Sequence, residues 1–161
     1  MLVSVQSNDF DIGKELEFLN NSGRNNGAIV SFQGVVRNNS TNSLLHMDIE
    51  QYPGMTQNAI SNYVETAMER WSLNDALVIH RHGKLFPGDR IMMVATAAMH
   101  RHEAFQSAEF LMDYLKSRAP FWKKEVTKDG YHWVEPIVDD EKALERWENP
   151  TNLFFSFFSF L

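Results

Sequence analysis

The sequence contains no cysteine at all. This absence excludes disulfide bonds, a thiolate nucleophile and a zinc ion held by cysteine side chains. No apolar run approaches the roughly 20 residues that a bilayer-spanning helix needs. The first residues, Met1 to Gln6, lack the basic and apolar regions of a signal peptide. Because a chain without cysteine is also compatible with a reducing compartment, we expect a cytoplasmic protein.

An excess of positive charge is missing as well, since the 161 residues carry a formal net charge of −6. This balance argues against general binding of nucleic acids, which needs a basic surface. The charges are unevenly distributed, however. Residues 80–128 contain nine Lys and Arg against five Asp and Glu, a net charge of +4, whereas the rest of the chain contains six against sixteen, a net charge of −10. A local cationic site in an acidic protein suits a small anionic ligand.

The composition is typical of one folded domain, with 43% hydrophobic and 22% charged residues. Strand and helix patterns are mixed without regular βαβ alternation, which indicates the α+β class: a single domain with a mixed or antiparallel sheet and flanking helices. Apolar periodicity predicts helices at 9–20, 56–71, 100–117 and 139–147, and strands at 28–36, 44–51, 76–82, 90–98 and 131–136.

Local signals refine these elements. Asp9 or Asp11 is expected to cap the first helix, and Thr56 the second. A short polar connection separates the strands 28–36 and 44–51, so we expect them to pair as a hairpin.

The segment 116–125 reads Lys-Ser-Arg-Ala-Pro-Phe-Trp-Lys-Lys-Glu and gives the strongest indication of a functional site. Pro120 prevents a helix from continuing, so Lys116 should end one element, and Lys123 and Lys124 should follow the break. Ammonium groups beside aromatic walls of low dielectric constant bind anions tightly or lose their protons. The alternative is a helix end with cations on its dipole, followed by a buried aromatic anchor.

Two further groups of cations adjoin predicted elements. Arg37 follows the strand 28–36, where binding residues are often found, and His100 and Arg101 begin a helix, where free N–H groups favour an anion. Each can equally be a solvated surface cation. Lys116 lies sixteen residues after His100, which is about 24 Å along a helix axis. One site that uses both must therefore be elongated, unless the following chain folds back along the helix.

Two His-Arg-His triplets, 80–82 and 100–102, raise the alternative of a zinc-dependent hydrolase. His80 and His82 would share one face of a strand. His100 and His102 would diverge by about 200° at a helix start. Neither a His-Glu-x-x-His spacing nor a nearby acid pair supports a metal, so we expect none and interpret the triplets as anion ligands or strand-end structure.

The last nine residues contain five phenylalanines and no charge. Such a segment is too short to cross a bilayer and would aggregate if exposed alone. We expect residues 1–150 to form the single domain and residues 151–161 to form a Phe-rich tail. The tail is expected to pack on an apolar groove of its own subunit or of a second copy. The alternative is a lid or plug at a partner-binding surface.

The chain resembles the catalytic, or large, subunit of molybdopterin synthase over residues 27–135. Each matching motif is weak alone, but the ordered set is specific, above all His100-Arg101 together with 116–125. The motifs are Phe32-x-Gly34-x-Val36-Arg37, Tyr52-Pro-Gly-Met-Thr56, His80-Arg81-x-Gly83, Pro87-Gly-Asp89, Ala98-x-His100-Arg101-x-x-Ala104-Phe105 and Asp113-Tyr-Leu-Lys116-x-Arg118-Ala-Pro-Phe-Trp-Lys-Lys-Glu125.

This resemblance implies an α/β-hammerhead fold and a sulfurtransferase of molybdenum cofactor biosynthesis. Such enzymes convert cyclic pyranopterin monophosphate into the dithiolene molybdopterin. The sulfur comes from the C-terminal Gly-Gly thiocarboxylate of a small ubiquitin-like carrier subunit. The resemblance also implies a homodimer that binds one carrier per protomer, a heterotetramer, and no cofactor of its own. The lack of cysteine fits, because the sulfur must then arrive from elsewhere.

By the same resemblance, Lys116 and Lys123 match the family's catalytic lysines. Lys116 is expected to assist attack on the thiocarboxylate carbonyl or to stabilise its covalent adduct. Lys123 is expected to transfer a proton or to polarise the leaving oxygen of the pterin, and the two roles can be exchanged. The residues that match the substrate pocket are Val35, Val36, Arg37, His100, Arg101, Lys116, Lys123, Lys124 and Glu125.

The Phe-rich end departs from the family, whose members commonly end in a charged helix and a mobile tail. A different function is also compatible with the residues: a non-catalytic adaptor that binds a phosphate or nucleotide in the same cationic cleft. Transfer of sulfur from a thiocarboxylate carrier distinguishes the enzyme from the adaptor.

Overall fold

Strands and helices follow one another irregularly along the chain, so the predicted α+β class is confirmed. The computed structural model describes residues 1–21, 25–135 and 138–148. Within these ranges the strands are β1 (Leu2–Gln6), β2 (Ala28–Val35), β3 (Leu44–Gln51), β4 (Asp75–Arg81), β5 (Gly83–Leu85), β6 (Arg90–Ala98), β7 (Phe121–Thr127) and β8 (Gly130–Trp133), and the helices are α1 (Ile12–Asn20), α2 (Met55–Arg70), α3 (Arg101–Ser117) and α4 (Val138–Glu148).

The first sheet has the strand order β1-β4-β6-β2, in which β1 is parallel to β4 and the other pairs are antiparallel. Its side chains alternate between two cores. Val78 and Val94 pack against α2 and α3, whereas Leu77, Ile79 and Met93 pack against α1. Because helices cover both faces of β4 and β6, these strands are apolar almost throughout.

The second sheet is antiparallel, with the order β5-β3-β7-β8. The predicted hairpin of 28–36 with 44–51 is therefore wrong, since β2 pairs with β6 in the first sheet and β3 pairs with β5 and β7 in the second. The pairing of β2 shifts register at its end, and Val36 exchanges backbone hydrogen bonds with Gly88 and Asp89 instead. Val36 and Leu44 then bury in a third small core that joins the two sheets.

The start of α2 also differs from the sequence prediction. Gly54, not Thr56, is the N-cap residue, and the buried Thr56 hydroxyl has another function. It accepts a hydrogen bond from the Tyr52 N–H at 3.0 Å and donates one to the Pro120 carbonyl at 3.2 Å. The first turn of α2 is thereby tied to the segment that breaks α3. The predicted cap of α1 is confirmed at Asp11, which accepts from the Lys14 N–H.

The helix α3 ends before Pro120, as the proline predicts, and the chain continues as β7. The last helix, α4, packs back along α3. Its Leu144 and Trp147 are buried in the main core, and the Trp147 indole N–H donates to Asp113 at 2.6 Å. The predicted tail, residues 151–161, and its boundary at 150 lie outside the described residues. Among the residues that are described, no helix has the length and apolarity to cross a membrane.

Candidate active site

Lys116 and Lys123 line one pocket of about 200 Å³ between the end of α3 and the start of β7. Lys116 lies in the last turn of α3, and its side chain is half exposed. Its ammonium Nζ lies 3.8 Å from Oδ1 of Asp140, which α4 brings to the same pocket. The other lining residues are Leu115, Ala119, Phe121, Val134 and Glu135.

Strand pairing decides the direction of Lys123. In β7 it stands opposite Ile49 of β3, whose side chain is buried, and it shares that inner face with Phe121 two residues earlier. The backbone carbonyl of Lys123 accepts a hydrogen bond from the Val134 N–H at 2.8 Å. This bond draws the chain after β8 over the pocket and places Glu135 in its wall.

The environment of Lys123 disfavours its charged form. Burial lowers the pKa of the Lys123 amine below its ordinary value of 10.5, and the nearby positive charge of Lys116 lowers it further. The negative charge of Asp140 acts in the opposite direction and is the weaker influence. Lys123 therefore loses its proton at a lower pH than an exposed lysine does, which suits a group that exchanges a proton during a reaction.

A buried histidine supports the apolar wall of this pocket. The ring of His80 stacks on Phe121 with centroids 3.8 Å apart and an interplanar angle of 18°. Its Nδ1 lies 2.8 Å from the Arg81 carbonyl oxygen, and because a carbonyl only accepts, Nδ1 carries the proton. Burial, assisted by the charge of Lys123, lowers the pKa of His80 from 6.5 to about 3. The His80 ring is therefore neutral at physiological pH.

The neutral His80 predicts a specific pH dependence of stability. Below pH 6.5 the unfolded chain binds a proton at this residue, whereas the native state does not until about pH 3. The free energy of unfolding should therefore fall as the pH falls between these values, by about 1.4 kcal/mol per pH unit from this residue. In His80→Gln, which cannot titrate, this contribution should disappear.

Urea unfolding at several pH values tests this expectation. The stability difference between wild type and His80→Gln should shrink as the pH is lowered from 7 to 4. The matched control is His102→Gln, at an exposed histidine of α3, which should keep the wild-type pH dependence. Parallel stability curves for wild type and His80→Gln would contradict the buried, neutral ring.

The two histidine triplets lie on different elements. His82 lies in the connection between β4 and β5, and His100 and His102 belong to the start of α3. Among the described residues, no group of three His, Asp or Glu side chains is placed to hold a metal ion.

Lys124 and Glu125 follow Lys123 in β7 but do not line the pocket. Lys124 points to the opposite face of the sheet, where its Nζ lies 3.6 Å from Asp48 and 5.3 Å from the ring centre of Trp133. Glu125 shares the inner face with Lys123, and its carboxylate lies 3.3 Å from Nε2 of His132. The structure thus separates these two predicted pocket residues from the lysine pair.

The residues after β2 lie near the pocket. Val36 is buried in the third core together with Leu44 and Ile49, and Phe121 packs against this core as well as lining the pocket. Val35 is exposed, and so is Arg37.

His100 and Arg101 lie at the other end of the same sheet. Ala28 pairs with Ala98 and Val35 with Arg90, so the two ends of β2 are about 25 Å apart. His100 is the N-cap residue of α3 and Arg101 follows it, both exposed. Arg101 also lies about 22 Å from Lys116 along the helix. A single protomer therefore does not bring this pair to the lysine pocket.

The MoaE protein family model matches residues 5–118, more than half of the chain. The chain belongs to the MoaE family. A protein named molybdopterin synthase catalytic subunit from Cereibacter sphaeroides is 58% identical over 147 residues, covering 91% of this chain and 100% of that protein. One of the same name from Ralstonia nicotianae is 53% identical over 146 residues, covering 90% and 83%. These matches confirm the resemblance inferred from the six motifs.

Solved structures agree with this family. The molybdopterin biosynthesis MoaE protein from Burkholderia ambifaria has a TM-score of 0.79 and 44% identity, covering 92% of this chain and 98% of that one. A protein–protein complex of subunits 1 and 2 of molybdopterin-converting factor from Helicobacter pylori includes a chain with a TM-score of 0.71. The match covers 83% of this chain and 90% of that one. At 16% identity the similarity is one of fold alone.

Sequence reasoning missed several residues that line the pocket of this MoaE-family chain. Glu135 and Asp140 line the pocket but lie outside the basic stretch 80–128. The charge distribution therefore did not connect them with the cationic site. The strand β7 was not predicted either, because its inner residues Phe121, Lys123 and Glu125 do not form an apolar face. The predicted strand 131–136 includes Glu135, but nothing in its pattern indicates that this residue lines a pocket.

Proposed function

We propose that this chain is the catalytic subunit of a molybdopterin synthase. It transfers sulfur from the C-terminal thiocarboxylate of a small ubiquitin-like carrier to cyclic pyranopterin monophosphate, which forms the dithiolene of molybdopterin. One observation carries this proposal: Lys116 and Lys123, which match the family's catalytic lysines, line the same pocket although β7 and α3 belong to different layers. The non-catalytic adaptor is not favoured, because the relatives are named as catalytic subunits.

The two amines suit different parts of the reaction. Lys116, half exposed at the mouth of the pocket, can meet the carbonyl of an incoming thiocarboxylate and assist attack on it or stabilise the adduct. Lys123, half-buried and with a lowered pKa, can exchange a proton with the pterin oxygen that sulfur replaces. Because the chain has no cysteine, sulfur cannot reside on this subunit as a cysteine persulfide. We propose that the carrier supplies the sulfur and that the subunit uses no cofactor of its own.

The assembly we propose is a homodimer that binds one carrier per protomer, in the cytoplasm. The separation of about 22 Å between Arg101 and Lys116 supports a dimer, because a second protomer could bring its own Arg101 to the lysine pocket. His100, Arg101 and Arg37 would then bind the phosphate and the pterin at the edge of the lysine pocket, together with backbone from Val35 and Val36.

Reconstitution tests the proposed function. The purified chain is mixed with a carrier ending in a Gly-Gly thiocarboxylate and with the precursor. We expect dithiolene to form in proportion to the thiocarboxylate consumed. A carrier ending in an ordinary carboxylate is the control and should yield none. Absence of sulfur transfer from the thiocarboxylate, with carrier bound, would contradict the proposal.

A further inference from the structure

The lysine pocket contains a carboxylate that the expected chemistry does not use. Oδ1 of Asp140 lies 3.8 Å from Nζ of Lys116, and Asp140 lines the pocket together with Lys123. A negative charge at this position repels the anionic groups that the pocket is proposed to bind. Its presence therefore calls for a contribution other than ligand binding.

The position of Asp140 is determined by contacts between α4 and α3. The Ser117 hydroxyl donates to the Asp140 backbone carbonyl at 2.8 Å, one residue after Lys116. The next residue of α4, Glu141, accepts two hydrogen bonds from the Arg118 guanidinium at 2.7 Å each. These anchors lie on Asp140 itself and on residues adjoining Lys116 and Asp140, so they bring the backbone of the two residues together and place the carboxylate within reach of the ammonium.

Further along the helix pair, the contacts continue. The guanidinium of Arg146 donates to Glu109 at 2.8 Å and also binds Asp113, while Leu144 is buried in the core. These contacts hold α4 against α3 without the Asp140 side chain, so a substitution of that side chain leaves them in place.

The charges around Asp140 come from several elements. The amines of Lys116 in α3 and Lys123 in β7 line the same pocket, and Glu135 is the other acid there. His80 of β4, behind Phe121, is neutral. Outside the pocket, the opposite charges within the exposed ion pairs Arg118–Glu141 and Lys142–Asp139 offset each other. Asp140 is the residue whose charge acts directly on both lysines, pairing with Lys116 and opposing the influences that lower the pKa of Lys123.

We propose that Asp140 is a positioning residue for the reaction described above, which holds the Lys116 ammonium at the pocket wall and balances the charge of the Lys116–Lys123 pair. The inference rests on the proposed function and assigns α4 a direct part in it. Asp140 touches neither the thiocarboxylate nor the pterin; it acts through the two amines.

The substitution Asp140→Asn keeps the size of the side chain and removes its charge. We expect kcat to fall about tenfold, because Lys116 is no longer held in place. KM for the anionic precursor should stay unchanged or decrease, since a repelling charge has been removed. The pH at which the rate reaches half its maximum should move down, because the pKa of Lys123 loses the influence that raises it. Asp140→Glu should restore most of kcat.

The matched control is Asp139→Asn, which removes the same charge from the same turn at an exposed carboxylate outside the pocket. It should keep the wild-type kcat, KM and pH profile. A wild-type pH profile in Asp140→Asn would overturn the inference. So would a higher KM accompanied by a lower melting temperature, which indicates a merely structural role.

A second measurement separates this inference from the proposed function. The Nζ signal of Lys123 is titrated by NMR in protein labelled with 15N-lysine and is assigned through Lys123→Arg. In Asp140→Asn the midpoint should lie at lower pH than in wild type, whatever the substrate is. An unchanged midpoint would overturn the inference even if sulfur transfer occurs. If wild type transfers no sulfur but the midpoint shifts, the function proposal fails and the electrostatic assignment of Asp140 stands.

Discussion

Replacement of Lys116 with alanine is expected to abolish dithiolene formation while the protein remains folded. We expect the rate of sulfur transfer to fall at least about 10³-fold, the upper part of the range for a group acting directly in catalysis. The physical reason is the position of Lys116. Its half-exposed amine lies 3.8 Å from Asp140 and lines the same pocket as Lys123. Among the described residues, Lys116 and Lys123 are the only lysines that line this pocket.

Stability should change little in Lys116→Ala. The side chain is half exposed and its ion pair with Asp140 is long, and surface ion pairs typically contribute about 0–1 kcal/mol. The melting temperature and the affinity for the carrier should therefore remain close to wild type. Single-turnover transfer from a thiocarboxylate carrier measures the effect, with Lys128→Ala, an exposed lysine in the turn after β7, as matched control. Substantial activity in Lys116→Ala would refute the catalytic assignment.

Replacement of Lys123 with arginine should have a comparable effect for a different reason. Arginine retains the positive charge but does not lose its proton in the accessible pH range. If Lys123 exchanges a proton in its neutral form, the wild-type rate should rise with pH through a midpoint below 10.5, because burial and Lys116 both lower the pKa of this amine. Lys123→Arg should lose this rise and about 10²- to 10³-fold in rate.

The pH–rate profile of single turnovers in wild type and Lys123→Arg provides the measurement. In Lys116→Gln, which is expected to be inactive, the 15N titration of the Lys123 Nζ signal should show a higher pKa, because one of the two causes that lower it has been removed. The shift should therefore have the opposite sign to that in Asp140→Asn. Wild-type activity with an unchanged profile in Lys123→Arg would show that only the charge of Lys123 matters, and that proton transfer occurs elsewhere.

Several elements were predictable because their side chains follow a local period. The strands 44–51 and 90–98 have the predicted bounds, and the end of α3 before Pro120 follows from the missing N–H of proline. The ordered motifs also identified the family, which the comparisons confirm. These features depend on residues that are close together in the chain.

Pairing between distant segments was not predictable in the same way. The polar connection after β2 resembles a hairpin loop, yet Val36 and Leu44 bury in a core shared by the two sheets, and β3 pairs with strands that come later in the chain. The strand β7 was missed because the inner face it presents is Phe, Lys and Glu, a pattern without apolar alternation. Such a face forms only because α3, α4 and the chain after β8 complete the pocket.

The sequence by itself determined that this chain has no thiol, that its cations concentrate in one stretch of an acidic chain, and that Lys116 and Lys123 lie on either side of a proline break. Its ordered motifs identified the family, and the family implies the reaction. Only the tertiary structure decided which amine is less exposed, since the inward direction of Lys123 depends on the pairing of β7 with β3. The structure also decided the charge that balances the pair, because Asp140 reaches Lys116 only through the packing of α4 on α3. A pKa depends on burial and on neighbouring charges, and in a folded chain both are supplied by segments remote in sequence.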